Sequence, residues 1–379
     1  MTIVPTHLYY IEGVKKGRPS SLLKKLVYKS GLLAERNLPY IHSVKHLSLL
    51  TGCDENYLLS IINRSNRTYS FYTVPKRSGG VRFIHAPDEE LKKLQQWINA
   101  QILINVPVHP CCYSFHKDSS IKKCAEKHCG VKWLIKIDIE NFFEMVSEIE
   151  IYKVFIKLGY KPIISLALAR ICTYEPRYLT GFYNKWVIYK KSKRLPFTSE
   201  NARFFGRLPQ GAPTSPMLSN LVLSSLDERI NRLIKYKNGV YSRYADDIFI
   251  SFGDKDINRV YLEKVIGRVT RYLEDFGYKA NKTKIRLISP RALKIILGLN
   301  VSGEIVKLNS NYKKDLQSHF YGINKFGLIS HASHRKFNSV LGMLEHIKGK
   351  VNFACQIEPS YGIPLKEELE NILNKNGLY

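Results

Sequence analysis

Two adjacent aspartates, Asp246 and Asp247, lie within Tyr241–Ser251, a stretch whose other residues are typical of a β-strand. Asp is depleted in strands, and two neighbouring carboxylates repel each other unless something neutralises them. A third aspartate, Asp138, ends an apolar run that is typical of a buried strand. If the two strands lie side by side, all three carboxylates reach one edge of the sheet. Since hard cations such as Mg²⁺ prefer carboxylate oxygens, the set predicts a two-metal site for phosphoryl transfer.

A purely structural interpretation of Asp246 and Asp247 is also open, because Asp favours turns. Under that interpretation the pair would only shape a hairpin. The strongly basic composition of the chain and the position of Asp138 at the end of another predicted strand favour the metal site.

The composition indicates a globular protein with a polyanionic partner. The 379 residues include 59 Lys and Arg against 32 Asp and Glu, which gives a formal net charge of +27 and a pI near 9.7. The 24 Tyr and 17 Phe favour nucleic acid over an anionic membrane, because aromatic rings stack on bases while cations hold phosphates. A basic protein with a merely solvated surface is the alternative.

Cysteine usage and hydropathy predict a cytoplasmic protein without a membrane partner. The seven Cys are odd in number, and the N-terminus lacks the features of a signal peptide. The longest apolar run, Ile163–Cys172, is about half a membrane span and contains Arg170. Between positions 111 and 129, Cys and His cluster without the paired C-x2-C spacing of structural zinc sites. Buried thiols are therefore favoured over zinc ligation for this cluster, which comprises Cys111, Cys112, His116, Cys124, His128 and Cys129.

The elements that must position the aspartates begin with a helical region from Pro19 to about Asn63. Two β-rich runs in Phe71–Pro87 flank Ser78-Gly79-Gly80, which predicts a hairpin. A helix capped by Asp88 should follow, and then the strand that ends at Asp138.

Later segments alternate between helices, short hairpins and one insertion. The segment from about Tyr174 to Arg207 is basic and aromatic, and it is predicted to be an insertion or an exposed loop. A hairpin is expected within Lys294–Asn309, and the last seventy residues should be helical and basic. Three helix ends are predicted from capping residues: an N-cap at Ser215, a C-terminal glycine at Gly277 and an N-cap at Ser333.

Five sequence boxes resemble those of reverse transcriptases and occur in that family's order, over about Phe71 to Leu308. Tyr244-Ala245-Asp246-Asp247 looks like the Y-x-D-D box, and IKIDIENFF resembles the first aspartate motif. LPQGAPTSPMLSN resembles the templating and nucleotide-pocket motif, VPKRSGGVRFIHAP the fingers hairpin and LGLNV the hairpin at the primer grip. The resemblance implies RNA-directed DNA polymerase activity. It also implies an α+β, right-hand polymerase fold, with fingers, a palm whose antiparallel sheet carries the aspartates, and a helical thumb.

The same resemblance divides the chain into four regions. These are an N-terminal helical region at 1–70, fingers at 71–130, a palm at 131–300 and a helical thumb or RNA-binding region at 301–379. The palm would contain an interleaved fingers segment and the basic insertion at about 174–207. A nucleotide cyclase, whose palm-like sheet also presents acidic residues to metal, is disfavoured because it has less need of a fingers hairpin or a basic thumb.

Matching residues take their implied roles from the family. Asp138, Asp246 and Asp247, with the backbone carbonyl of Ile139, would bind two Mg²⁺ ions, for which Mn²⁺ is an alternative. The residues implied to hold dNTPs are Lys76 and Arg82 at the triphosphate, Gln210 and Gly211 at the sugar, and Phe143 where it blocks a ribose 2′-hydroxyl. Of Phe142 and Phe143, one is expected to be a core aromatic. A lysine near the pyrophosphate is either Lys282 or Lys284.

Nucleic-acid contacts are implied for five further cations. Arg243 would touch the template–primer backbone, with pairing to a local acid as the alternative. The helical tail would grip RNA through basic residues that include Lys313, Lys314, Arg335 and Lys336, unless these form only a solubilising face.

Within the reverse transcriptases, the chain is most similar to bacterial retron enzymes. Their N-A-x-x-H element appears as Cys124-Ala125-Glu126-Lys127-His128, with Cys in place of Asn, and their V-T-G appears as Ile296-Leu297-Gly298. The implied partners are a cognate non-coding RNA, its DNA product and a separately encoded effector protein, in a higher-order complex that defends bacteria against phage. A group II intron-type or diversity-generating enzyme is the alternative, as is a catalytically idle RNA-binding scaffold on the same fold.

Overall fold

The computed structural model describes residues 6–75, 79–175, 206–254 and 256–378. The helices are α1 (Thr6–Lys15), α2 (Ser20–Ala34), α3 (Val44–Thr51), α4 (Glu55–Ile62), α5 (Glu89–Gln101), α6 (Ile121–Glu126), α7 (Phe142–Met145), α8 (Glu148–Leu158), α9 (Pro162–Ile171), α10 (Ser215–Lys235), α11 (Arg259–Asp275), α12 (Ser310–His334), α13 (Val340–Ile357) and α14 (Pro359–Lys375). The strands are β1 (Tyr69–Pro75), β2 (Val81–Pro87), β3 (Trp133–Asp138), β4 (Val240–Tyr244), β5 (Asp247–Phe252), β6 (Arg286–Ile288), β7 (Ile295–Ile296), β8 (Leu299–Asn300) and β9 (Lys307–Leu308). The predicted α+β class is confirmed.

The chain forms two compact units, each assembled from segments that are distant in sequence. The first comprises Met1–Asp118, Asp138–Ile230 and Gly267–Asn281, and the second comprises Ser119–Ile137, Asn231–Ile266 and Lys282–Tyr379. The division into fingers, palm and thumb at the boundaries given above stays a prediction.

In the first unit, helices α1 to α4 confirm the predicted N-terminal helical region. Side chains of Ser43 and Asp54 cap α3 and α4, and the predicted cap Asp88 accepts a hydrogen bond from the Leu91 amide at the start of α5. Strands β1 and β2 pair antiparallel from Tyr69↔Pro87 to Pro75↔Val81, which confirms the predicted hairpin.

A buried ion-pair network ties together distant parts of this unit. Glu148, at the start of α8, is 1% exposed. Its carboxylate accepts hydrogen bonds from Arg64 Nη2 at 2.8 Å, from Arg170 Nε at 3.2 Å and from the Gly206 amide at 2.9 Å. A Cβ at Gly206 would lie 2.4 Å from Arg64 Nη2, so a side chain there would displace the network. The network fixes the chain immediately before the Leu208–Gly211 loop.

The second unit is built on a four-stranded sheet in the order β4-β5-β3-β6. Strands β4 and β5 form an antiparallel hairpin, and β3 and β6 pair antiparallel from Leu134↔Ile288 to Lys136↔Arg286. Most residues of β3 and β5 are buried, because these two strands occupy the centre of the sheet. A second, three-stranded sheet, β7-β8-β9, lies within the predicted hairpin segment Lys294–Asn309.

Capping in the later helices matches the sequence only in part. Gly277, with φ of 85°, follows α11 as predicted, and α10 begins at Ser215 itself. The predicted N-cap at Ser333 is wrong, because Ser333 lies inside α12 and the chain turns at Lys336, where φ is 59°. Ser339 caps α13 instead, and its hydroxyl accepts a hydrogen bond from the Gly342 amide.

Across the described ranges, each helix is too short or too polar to cross a bilayer. The Ile163–Cys172 run, the longest apolar run in the sequence, forms most of α9 and is largely buried in the first unit.

We expect Glu148→Gln to lower the free energy of unfolding by about 3 kcal/mol, because two guanidinium groups lose their buried anionic partner. The matched control is Glu263→Gln, since Glu263 pairs with Arg259 at 2.8 Å on an exposed face. That change should alter stability by less than about 1 kcal/mol. Urea unfolding followed by circular dichroism measures both variants, and equal effects would contradict the importance of the buried network.

Candidate active site

Asp246 lies in the turn of a tight β-hairpin, and Asp247 is the first residue of the second strand of that hairpin. Tyr244 pairs with Asp247 across β4 and β5, which leaves Ala245 and Asp246 as a two-residue turn. Ala245 has φ of 55°, a left-handed conformation that a non-glycine residue rarely adopts. Asp246 and Asp247 are both half-buried. The turn thus accommodates two acidic residues in a sequence that otherwise favours a strand, at the expense of backbone strain of a kind that is common at functional sites.

Arg243 lies inside this hairpin. Its side chain is fully buried, and Nη1 donates a 2.9 Å hydrogen bond to the carbonyl of Ala245. The guanidinium therefore supports the strained turn from within. The predicted contact of Arg243 with template–primer stays a prediction.

The sheet order places β3, which ends at Asp138, next to β5, which begins at Asp247. The Lys132 amide donates a 3.0 Å hydrogen bond to the carbonyl of Phe252, so β3 begins where β5 ends. The strands are therefore antiparallel, and β3 ends at the edge where β5 begins. The juxtaposition of strand ends that the sequence predicts is present in the sheet.

Lys136 is a charged residue near the aspartates that the sequence interpretation missed. It lies two positions before Asp138 and hence on the same face of β3. Burial lowers the pKa of Lys136, while the carboxylate of Asp247 opposes that effect. The signal in the sequence was a lysine at alternate spacing from Asp138 in an otherwise apolar strand.

The segment after Asp138 is paired with the segment that precedes the candidate pyrophosphate lysines. The Asn281 amide donates to the carbonyl of Asp138 at 2.8 Å, and Ile139 forms a bridge with Ala280. Lys282 and Lys284 are exposed and belong to one short 3₁₀ helix, Lys282–Lys284. Both lysines stay candidates for the position near the pyrophosphate.

Backbone hydrogen bonds bring three of the predicted nucleotide-binding segments together in the first unit. The His85 amide, on β2, donates to the carbonyl of Gln210 at 2.8 Å. The Leu208 amide donates to the carbonyl of Val146 at 3.1 Å, which joins the same loop to the end of α7. Gln210, Arg82 on β2 and Phe143 on α7 are therefore carried by segments that are directly bonded to one another.

Gly211 is required by close packing. Its φ is 124°, and a Cβ at this position would lie 3.1 Å from the carbonyl oxygen of His85. A side chain would strain the backbone and push the loop away from β2. The sequence predicts that another stretch of backbone approaches Gly211 closely. In the structure that stretch is β2.

The two adjacent phenylalanines have different environments. Phe142 is 3% exposed and packs against Phe143 and Tyr278, whereas Phe143 is half-buried. The expectation that one of the two is a core aromatic is confirmed for Phe142. Phe143 is the member with surface available to a ligand.

Two of the sequence predictions fall wholly or partly outside the described residues. Lys76 lies outside them, as do positions 176–205 of the basic insertion. Arg82 is described and exposed on β2. The ends of the insertion meet, because Tyr174 and Arg207 exchange two backbone hydrogen bonds, of 3.0 and 2.8 Å.

Of the four cations predicted in the helical tail, two form ion pairs within the second unit. Lys313 contacts Glu358 at 2.7 Å, and Arg335 contacts Asp315 at 2.6 Å. Asp315 also pairs with Lys350, and these hydrogen bonds lower the pKa of its carboxyl to about 2. Lys314 and Lys336 are exposed. Lys313 and Arg335 thus have a structural role that the sequence did not reveal.

The cysteine and histidine cluster resolves into separate environments. Cys112 and Cys124 are buried thiols, as expected, and Cys111 and Cys129 are half-buried. His128 is fully buried between two serines, with Nδ1 2.6 Å from Ser251 Oγ and Nε2 2.7 Å from Ser242 Oγ. Across the described parts of the chain, no group of three or more His, Cys, Asp or Glu is arranged to hold a metal ion.

Comparison with known proteins adds a family assignment to this geometry. Residues 74–324 match the family described as reverse transcriptase (RNA-dependent DNA polymerase). The chain is 27% identical over 328 residues to the retron Ec86 reverse transcriptase of Escherichia coli, covering 86% of this chain and 88% of the relative. It is 30% identical over 289 residues to the retron Mx65 reverse transcriptase of Myxococcus xanthus, covering 74% of this chain and 63% of the relative.

Among solved structures, a telomerase from Candida albicans in complex with a fragment of telomeric RNA is similar to 81% of this chain, with 13% identity and a TM-score of 0.42. The similar region covers 63% of the telomerase chain.

We expect the free energy of unfolding to fall as the pH is lowered, because His128 is buried as a neutral imidazole. Burial lowers the pKa of this imidazole to about 3, whereas in the unfolded chain it is near 6.5. The contribution is complete above the unfolded value and declines as the pH falls from about 6.5 toward 3, because only the unfolded state gains a proton. Between about pH 7.5 and about pH 5, the loss from this residue should be about 2 kcal/mol.

The comparison variant for this prediction is His128→Gln, whose amide can hydrogen-bond both serines but does not titrate. Other buried histidines contribute equally to both proteins, so the difference between their urea midpoints at the two pH values isolates His128. A pH dependence that is identical in the two proteins would contradict the prediction.

Proposed function

The chain belongs to the reverse transcriptase family and is of the retron type, and from that premise we propose that it copies part of a cognate structured RNA into single-stranded DNA. Its family makes it an RNA-directed DNA polymerase with the right-hand polymerase fold. The single observation that carries the proposed active site is the sheet order, in which the strand that ends at Asp138 adjoins the strand that begins at Asp247.

Reverse transcriptases use divalent metal ions, and the residues at this edge fit such ions by donor chemistry, although no three carboxylates among the described residues are arranged as a ready-made metal site. Asp138, Asp246 and Asp247 supply carboxylate oxygens, and all three are only half-buried. The bridge between Ile139 and Ala280 is made by bonds of the flanking residues, so it does not use the Ile139 carbonyl. We assign these four residues to Mg²⁺. When bound, two such ions activate the attacking hydroxyl and stabilise the leaving pyrophosphate.

The incoming dNTP would be held by the first unit's bonded segments. Arg82 is exposed on β2 and can pair with the triphosphate, as we also propose for Lys76. Gln210 would lie beside the deoxyribose, and Phe143 would exclude a 2′-hydroxyl by steric contact. Lys282 or Lys284 would add charge near the pyrophosphate. The hydrogen bonds between β2, α7 and the Leu208–Gly211 loop hold Arg82, Gln210 and Phe143 on directly bonded segments, which favours pre-organised binding.

Binding of the cognate RNA is assigned to the helical tail. Lys314 and Lys336 are exposed there, as are the aromatic side chains of Tyr321 and Phe326. Exposed cations and rings of this kind suit phosphate contacts and base stacking. Lys313 and Arg335 would reach RNA only by sharing or exchanging their present carboxylate partners. By family analogy, the complex of protein, RNA and DNA would hold a separately encoded effector in defence against phage.

A catalytically idle RNA-binding scaffold is the second candidate, and the intact aspartate set disfavours it. The two candidates differ in a single measurable property. The enzyme extends DNA on an RNA template, whereas the scaffold only binds RNA.

The double variant Asp246→Asn, Asp247→Asn should reduce dNTP incorporation on an RNA template by at least about 1,000-fold, because both changes remove negative charge from the proposed metal ligands. Affinity for the cognate RNA should stay within about threefold, since neither side chain is placed at RNA. Primer extension and filter binding measure the two quantities.

A control for the loss of carboxylate charge is Asp118→Asn, which changes one exposed aspartate that lies in a turn. It should leave both quantities unchanged. Undiminished DNA synthesis by the double variant would overturn the proposed enzyme and favour the scaffold.

Phe143→Ala should reduce the preference for dNTPs over ribonucleotides by at least about tenfold, because it removes the ring that is placed against the 2′-hydroxyl. Phe143→Tyr, which keeps the ring, should retain the preference. The ratio of kcat/KM for the two nucleotide classes in single-nucleotide incorporation is the measurement. An unchanged ratio in Phe143→Ala would remove Phe143 from the sugar site.

A further inference from the structure

Two buried side chains from one short segment converge on the hairpin that carries Asp246 and Asp247. Cys124 lies on α6, and His128 lies in the turn that follows it, four positions later. Both are 0% exposed. Because residues four apart share one face of a helical turn, both can face the same strand. Neither has a part in the proposed chemistry.

The contacts of His128 span both strands of the hairpin. Ser242 lies on β4 and Ser251 lies on β5, and each hydroxyl is within 2.7 Å of one ring nitrogen. A neutral imidazole donates from one nitrogen and accepts at the other, and a serine hydroxyl can complete either bond. The ring therefore forms a bridge between β4 and β5 whose two ends are both satisfied.

The bridge is sensitive to strand register. Ser242 pairs with Phe249, and Ser251 pairs with Val240, so the two serines lie on the same face of the hairpin. A slip of β5 by one residue would turn Ser251 to the opposite face and break the bridge. The same slip would move Asp247, which lies on the same face as Ser251, away from the sheet edge where β3 ends.

Cys124 contacts the same hairpin at one of these serines. Its sulfur lies 3.3 Å from Ser242 Oγ. Cys124 and His128 occupy the first and last positions of the segment that resembles the N-A-x-x-H element of retron enzymes. Both ends of that segment thus meet on one buried hydroxyl of β4, and Ala125 between them is also 0% exposed.

We propose that His128 is a positioning residue for DNA synthesis, which fixes the register and orientation of the Asp246–Asp247 hairpin through Ser242 and Ser251. The strained turn at Ala245 gives the bridge a specific task, because a left-handed alanine persists only where surrounding contacts hold it. Arg243 supports that turn at its tip, and His128 supports the strands that lead to it. The effect on catalysis rests on the proposed function, whereas the effect on the hairpin does not.

The test compares His128→Phe, which fills the cavity but cannot bridge the serines, with His128→Gln, which can. We expect kcat for dNTP incorporation to fall by about ten- to a hundredfold in His128→Phe, since small misplacements of reacting groups have effects of this size. KM for dNTP and the affinity for the RNA–DNA substrate should stay within about twofold, and His128→Gln should recover most of kcat.

Hydrogen exchange provides a readout that is independent of activity. Amide hydrogens of Tyr241–Phe252 should exchange at least about tenfold faster in His128→Phe, with protection restored in His128→Gln. Leu262→Ala is the control for general destabilisation, because Leu262 is fully buried in the same unit and has no assigned role in the site. It should lower stability without changing kcat.

Three outcomes would overturn the proposal: an unchanged kcat in His128→Phe, an equal loss of kcat in Leu262→Ala, or unaltered exchange in the hairpin. If His128→Phe does not fold, the double variant Ser242→Ala, Ser251→Ala removes the same bridge with smaller changes and should show the same fall in kcat. If the unaltered protein makes no DNA, the proposed function fails, and hairpin exchange still decides whether His128 holds the strands.

Discussion

Like-charge repulsion between Asp246 and Asp247 is the constraint on which the rest of the site depends. Two carboxylates on successive residues are tolerable here because one lies in a two-residue turn and the other begins a central strand. Ala245 adopts a left-handed backbone conformation in that turn, and the surrounding side chains stabilise the turn and its strands. The buried guanidinium of Arg243 donates a hydrogen bond to the turn, and Lys136 on β3 lies near the carboxylate of Asp247. His128 joins strands β4 and β5. The proposed site is therefore a group of charged side chains that the four-stranded sheet positions.

The net charge of +27 is divided between two roles. Some cations, such as Arg64 and Arg170 around Glu148, stabilise the interior of the first unit. Lys350 and Arg335 pair with Asp315, which is partly exposed, in the second unit. Others, such as Lys314 and Arg82, are exposed. The number of basic residues therefore overstates the charge that is offered to nucleic acid, because paired cations are less accessible to phosphates.

Local patterns in the sequence were sufficient for the strands that carry the aspartates, the β1–β2 hairpin and the Asp88 cap. They also predicted one core aromatic in the Phe142–Phe143 pair, but not which of the two it is. Each depends on residues that are near one another in the chain. The Ser333 cap was wrong because several serines in that region can cap a helix, and packing selected Ser339. The Glu148 network and the His128 bridge were missed because their partners lie 84 and 114 positions away. Hydrophobic periodicity does not reveal which side chains pair over such separations.

The paired backbone bonds between Tyr174 and Arg207 have an evolutionary consequence. Tyr174 and Arg207 lie on either side of positions 176–205. Their two hydrogen bonds therefore hold the chain together at both ends of that segment. For a chain with fixed ends, the closure entropy changes by only about 0.6 kcal/mol for each doubling of length. The number of residues in this segment can therefore vary between lineages while Gln210 and Gly211 keep their position. Insertions here offer a route by which related enzymes could acquire different partners around a constant polymerase.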